Sequence, residues 1–337
     1  MLRSASVLVR LAGCLLGGSC LSAALPSPAH PPLPVTELRL ELAPDAIDRL
    51  RQHPRRDVPA RLRIGTNDVE SVTVHLKGRT GSFRPVDGTP SWTVDGSESG
   101  LGRRFHLNNA VEDPSFLCAW LGGEVFRELG FPTPAVAHAR VFLNGRSLGL
   151  YVWTEAFSTE FLDRECPAGS RLYEPAPGAD VMDLLALQAG SAESVRSDRA
   201  TLTAVAAALQ EPDPVRRWEA LSTRVDLESF MTLQALEVLL AHRDGYGLAR
   251  NNYRILFPGG SDRIQVLPAG MDQLFQPPDL PWNPAWGGAL SRALSGTEAG
   301  RTAHEARCRS LFGTILAPGS LEGRVRAQLK QIGRAHV

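Results

Sequence analysis

The sequence predicts an α+β protein, with strands gathered in its first half and helices in its second. From Thr36 to Thr154, apolar and polar residues alternate in short runs separated by turn residues, the period of half-buried strands. From residue 158 to 330, apolar residues recur at helical spacing in longer runs. The third observation is residues 242–275, where an acid, two amides and a second acid surround a hairpin pattern.

Composition narrows the class. The 337 residues carry 36 basic and 36 acidic side chains. That balance offers no electrostatic argument for nucleic acid or an anionic membrane. The length suits two lobes or one large domain. No interior apolar run is long enough to span a bilayer. Past the leader the cysteines are Cys118, Cys166 and Cys308, too few and too scattered for a disulfide scaffold or a zinc site. One bridge is open to them, and free buried thiols are the preferred expectation.

Met1–Ala24 reads as a signal peptide. Arg3 and Arg10 open it, an apolar stretch follows, and Ser22-Ala23-Ala24 offers a cleavage site. Leu11-Ala12-Gly13-Cys14 also spells a lipobox, with a lipid anchor at Cys14 as the alternative. Plain secretion is preferred, because Arg10 directly precedes that motif. Either way the mature chain is extracytoplasmic, in the periplasm, cell envelope or medium. Residues 25–35, rich in proline, form a stiff tether.

Residues 36–157 form the β-rich part. Thr36–Leu42, Val58–Ile64 and Val69–Leu76 alternate as strands, and Pro44–Gln52 is a short helix. Phe105–Asn109 ends a strand, and Asp113 or Ser115 caps a helix over Phe116–Leu129. Ala135–Leu143 and Leu148–Thr154 pair across the turn Asn144-Gly145.

Residues 158–330 form the helical part. Helices are expected over Thr159–Asp163, Asp180–Ala186, Arg196–Leu209, Val215–Leu221, Leu227–Leu240, Thr302–Phe312 and Leu321–Lys330, with a short strand at Leu172–Glu174. Gln331–Val337 reads as translated adapter sequence, so the natural chain is expected to continue differently beyond residue 330.

Two stretches carry chemistry. Lys77 ends a strand and leads into Gly78-Arg79-Thr80-Gly81-Ser82-Phe83-Arg84. A cation with glycine N–H groups suits phosphate, although the Walker spacing is absent. A flexible basic hairpin tip is the plainer reading. In the second stretch Asp244 precedes Asn251-Asn252, Tyr253–Phe257 and Ile264–Leu267 form a hairpin about Gly259-Gly260, and Asp272 follows. Two carboxylates and an amide at strand ends suit Mg²⁺ held against phosphate oxygens. Turn capping by Asp244 and the two amides is the alternative.

The ordered series Leu76-Lys77-Gly78, Ser82-Phe83-Arg84, Leu107-Asn108-Asn109, Asp113-Pro114-Ser115, Asn144-Gly145, Gly149-Leu150-Tyr151, Glu155, Asp244-Gly245, Asn251-Asn252-Tyr253 and Asp272 resembles the spore-coat protein H (CotH) kinase family over residues 36–276. The resemblance implies a remote protein-kinase-like two-lobed fold: a β-rich N-terminal lobe, a helical C-terminal lobe and a catalytic hairpin. It also implies ATP and Mg²⁺ as cofactors and a protein Ser/Thr substrate.

The resemblance assigns roles residue by residue. Lys77 would contact the nucleotide phosphates, Asp244 would be the base, and Asn252 or Asn251 would ligate Mg²⁺ with Asp272. Glu155 would touch the nucleotide and Arg84 would steady phosphate. Glu124 is offered as the partner of Lys77 from its helix position alone, outside the resemblance. His242-Arg243-Asp244 spells the kinase triplet, but the amides follow seven and eight residues later rather than five, so the triplet itself is given no weight.

Two functions follow: a secreted Mg²⁺-dependent protein kinase, or a catalytically weak cell-surface binding module on the same fold. A metallohydrolase would want histidines beside the acids, where His242 stands alone at a helix end and reads as structural; a serine hydrolase would want Gly-x-Ser-x-Gly, which is absent.

Overall fold

Seven strands of the first half close into a barrel in the computed structural model, which describes residues 34–333 apart from Thr80, Leu184 and Pro318. The expected signal peptide, Cys14, residues 25–33 of the tether and residues 334–337 lie outside the described residues.

The barrel elements are β1 (Thr36–Glu41), α1 (Pro44–Gln52), β2 (Val58–Ile64), β3 (Val69–Lys77), β4 (Ser91–Asp95), β5 (Arg104–Asn108), α2 (Cys118–Glu128), β6 (Val136–Leu143) and β7 (Arg146–Glu155). The strand order is β1-β2-β3-β4-β5-β7-β6. All neighbours are antiparallel except β1 and β6, which run parallel and close the wall. Alternation places Val58, Ala60 and Leu62 of β2 inward, as a period of two requires. Trp92, Phe105 and Tyr151 fill the interior, and α1 adds Ala46 and Leu50 to the same core. The β6–β7 turn is Asn144-Gly145 with both residues at positive φ, the geometry a tight hairpin needs. The Asn144 amide also bonds the backbone of Leu42 in both directions, at 2.8 and 2.9 Å.

The second half continues with α3 (Thr159–Glu165), β8 (Arg171–Glu174), β9 (Ala186–Ala189), α4 (Val195–Leu209), α5 (Pro214–Ser222), α6 (Leu227–Leu239), α7 (Tyr246–Ala249), β10 (Tyr253–Phe257), β11 (Gln265–Pro268), α8 (Ala289–Ser295), α9 (Glu298–Gly313) and α10 (Glu322–Gly333). The strands form an antiparallel sheet of order β11-β10-β8-β9. Helix α6 is buried on nearly every face, as its lack of a polar side demands. Its N-cap is Asp226, which accepts from Ser229 N–H. A second hydrophobic core, separate from the barrel interior, joins this sheet, the helices and the apolar face of α2.

One sequence expectation is overturned. Asp180–Ala186 is not helical; the chain turns there, and Ala186–Ala189 pairs with β8. The Asp180 carboxylate accepts from Tyr246 O–H and from the N–H groups of Val181 and Ala289, so it is used for tertiary bonds and starts no helix. Strand β4 was not foreseen, because Ser91–Val94 are all buried and show no alternation. The three cysteines are free thiols. Among the described residues no helix is long and apolar enough to cross a membrane. Gln331–Gly333 continue α10, and Ile332 is buried in the second core.

Candidate functional site

A cleft of about 850 Å³ opens between the barrel wall and the β10–β11 hairpin. On the barrel side it begins at Lys77, the last residue of β3, held opposite Ser91 of β4. Gly78 follows at φ +102°, and a Cβ there would lie 3.0 Å from the backbone of Phe83. Glycine lets the chain fold back on itself, with Phe83 N–H reaching Arg79 C=O at 2.8 Å. Arg55, which also lines the cleft, clamps the turn by donating to the carbonyls of Leu76 and Gly78.

The opposite wall comes from the chain after α6. Short α7 carries the backbone round so that Asp244 meets both amides. Asp244 Oδ2 accepts from Asn251 Nδ2 at 2.9 Å and from Asn252 Nδ2 at 2.7 Å. Asn252 also donates to Gly270 C=O at 3.1 Å, and its own carbonyl accepts from Ala269 N–H at 2.9 Å. These bonds tie the Asp244 loop to the segment bearing Asp272. That segment packs closely on α2: a Cβ on Gly122 would meet Met271 Sδ at 2.8 Å and Leu274 Cδ1 at 2.9 Å. Left-handed backbone clusters here in non-glycine residues, at Ala241, Arg250, Asn252 and Phe275. Such strain persists only where surrounding structure enforces it.

Burial shapes the electrostatics. It pushes the Lys77 ammonium down to about 8, with nearby Asp272 opposing the shift and Arg254 assisting it. Burial also lifts the Asp272 carboxyl above its usual range; Lys77 works against this, while Glu112 and Asp244 add to it. Lys77 and Asp272 therefore sense each other's charge across the cleft. His106 is held well below its ordinary value by burial and then by Lys77.

Of the residues singled out from the sequence, Lys77, Glu155, Asp244, Asn251, Asn252 and Asp272 line this one cleft. Glu155 is already engaged, accepting from Ala135 N–H at 3.1 Å and from Arg164 at 2.7 Å. Arg84 does not line the cleft; its guanidinium donates to the carbonyls of Gly81 and Phe83 in its own loop. Glu124 is not a partner of Lys77, because it pairs with Arg127 one helical turn away at 2.6 Å. Asp113 caps the start of α2, accepting from Cys118 N–H at 2.8 Å.

Among the cleft residues that sequence reasoning missed are two that pair with each other. Arg254, on β10 beside Tyr253, lines the cleft and pairs with Glu174 at 2.7 Å. No motif marks either; only the pairing of β8 with β10 brings them together. His242 is buried, donates from Nε2 to Ala269 C=O at 3.2 Å and, among the described residues, leaves Nδ1 without a partner, a structural histidine. Among the described residues no cluster of three or more His, Cys, Asp or Glu forms a metal cage.

A family model described as CotH kinase protein matches residues 85–336. The matched span begins after Lys77, so the placement of that lysine rests on the geometry above. Curated proteins give no match. Among solved structures, the Helicobacter pylori proinflammatory kinase CtkA is similar at 10% identity and a TM-score of 0.28, over 69% of this chain and 90% of that one.

Proposed function

Because this chain belongs to the CotH kinase family, we propose that it is an extracytoplasmic kinase that transfers the γ-phosphate of ATP to a Ser or Thr hydroxyl of a protein. The observation that carries this reading is the convergence of Lys77, Asp244, Asn252 and Asp272 on one cleft. Its volume of about 850 Å³ suits a nucleotide.

The residues fit Mg²⁺ by their donor chemistry. Asp272 and Asn252 offer oxygen donors, and Mg²⁺ needs few protein ligands because water and phosphate complete its shell. The lifted Asp272 carboxyl, with Asp244 and Glu112 near it, is a position where added positive charge is favourable. When bound, the metal neutralises charge on the phosphates.

Asp244 is the base in this reading. Two amides fix one of its oxygens, leaving the other to accept a proton from the substrate hydroxyl. Lys77 meets phosphate oxygens as a point charge, and the Gly78–Ser82 turn lies beside it. Arg55 holds that turn and does not itself need to touch the nucleotide.

Incorporation of radiolabel from γ-labelled ATP into a protein acceptor tests the reading. Asp272→Ala should lose incorporation while keeping the thermal midpoint. Unchanged incorporation in Asp272→Ala would sink the mechanism. Absence of Mg-ATP binding in calorimetry would instead favour a surface binding module on the same fold.

A further inference from the structure

We propose that Glu237, a buried side chain on α6 that does not line the cleft, is a positioning residue that sets the shape of the Asp244 loop. The proposal rests on the reading of Asp244 as the base. Glu237 is 2% exposed. Its Oε1 accepts from Tyr246 N–H and its Oε2 from Gly247 N–H, each at 2.8 Å. Both N–H groups lie in the first turn of α7, where no helical carbonyl can serve them. The carbonyl of the same residue accepts from His242 N–H at 2.7 Å. One residue thus holds the loop on both sides of Asp244.

The glycines nearby are explained by this contact. A Cβ on Gly245 would lie 2.4 Å from Glu237 Oε1, and one on Gly247 would lie 2.6 Å from Oε2. Gly245 has φ −75°, which any residue adopts, so glycine is needed there for space and not for backbone freedom. Among the described residues no cation pairs with Glu237, and burial pushes its carboxyl up to about 8 despite the two N–H donors. An apolar side chain would be less costly to bury. It would leave both N–H groups unpaired and hold no angle at Asp244.

The test compares wild type, Glu237→Gln, Gly245→Ala and the double variant Glu237→Ala/Gly245→Ala. The readouts are phosphate transfer, Mg-ATP calorimetry and amide hydrogen exchange over residues 241–252. Glutamine keeps the shape but turns a donor toward an N–H. Expected for Glu237→Gln are at least tenfold faster exchange in that segment, with barrel exchange unchanged, and kcat lower on the order of 10²-fold. kcat should fall by more than Mg-ATP affinity does, because Glu237 bonds the backbone at residues 242, 246 and 247 and not the cleft's amides. Gly245→Ala should match it, and the double variant should lose no more than Glu237→Gln and Gly245→Ala would lose if their effects added. Wild-type exchange and kcat in Glu237→Gln overturn the proposal, and so does loss of Mg-ATP affinity in step with kcat. If wild type itself transfers no phosphate, the kinase reading fails, and the exchange arm alone decides whether Glu237 holds the loop.

Discussion

Lys77 is the residue whose environment makes the sharpest claim. Its folded-state value of about 8 lies below the usual 10.5, chiefly through burial. The folded chain therefore releases this proton before the unfolded chain does. Between about pH 8 and 10.5 the unfolded state binds more protons, so stability rises with pH across that window. Denaturant midpoints at the two ends should show the rise in wild type and its loss in Lys77→Met. In the proposed reaction the cation is the working form, so kcat/KM should fall as pH climbs through about 8. The acid limb should lie above the usual carboxylate range, because Asp272 is lifted and must ionise. Gly270 makes a second residue-scale claim. It sits at φ +52°, and a Cβ would lie 2.4 Å from Asn252 Cγ. Gly270→Ala should destabilise by ~1–3 kcal/mol in urea and raise the Mg²⁺ concentration needed for half-maximal transfer. The residue types at this site were legible in the sequence. Their partners were not: the family resemblance gave Arg84 a phosphate to steady, whereas its guanidinium bonds the carbonyls of its own loop.

At the scale of elements, α7 and α8 are joined by a buried polar network. Tyr246 O–H donates to Asp180 at 2.7 Å and accepts from Leu290 N–H at 3.0 Å, while Asp180 also takes Ala289 N–H at 2.8 Å. Tyr246→Phe would leave a buried carboxylate oxygen and an N–H each short of a partner. The expected loss is ~1–3 kcal/mol by urea unfolding, with Tyr253 still bonded to Ala179 C=O as the unperturbed neighbour. The same network explains why Asp180 misleads as a helix start. An Asp before an apolar run is a sound local signal for a cap, but here its oxygens are claimed by chain more than sixty residues away. Strand β4 hides for the opposite reason: Ser91 and Thr93 face buried surroundings too, so the alternation that marks a half-exposed strand never forms.

At the scale of the whole molecule, the barrel and the helical half have separate hydrophobic cores, and the cleft takes residues from both. Ties across this arrangement include Arg324 of α10 to Glu128 of α2 at 2.7 Å, and Gln328 to buried His138 of β6 at 2.9 Å. A ligand that binds only the folded cleft stabilises by mass action, about 2.7 kcal/mol at a hundredfold excess over Kd. Mg-ATP should therefore raise the thermal midpoint of wild type and leave that of Lys77→Met nearly unmoved. An equal rise in both would place the nucleotide away from Lys77.

Most strands of the first half, the Asn144-Gly145 hairpin, the α6 cap at Asp226 and the residue types gathered over 242–275 were written in the sequence, because alternation, turn residues and caps act over a few neighbouring positions. The tertiary structure alone decided that Lys77 and Asp272 share a cleft, that Arg84 turns away, and that Glu237 braces the Asp244 loop. The shared cleft depends on how the barrel wall meets the β10–β11 hairpin, with Met271 and Leu274 packed on α2 at Gly122. Packing between segments far apart in the chain obeys volume and hydrogen-bond satisfaction, which no local period records.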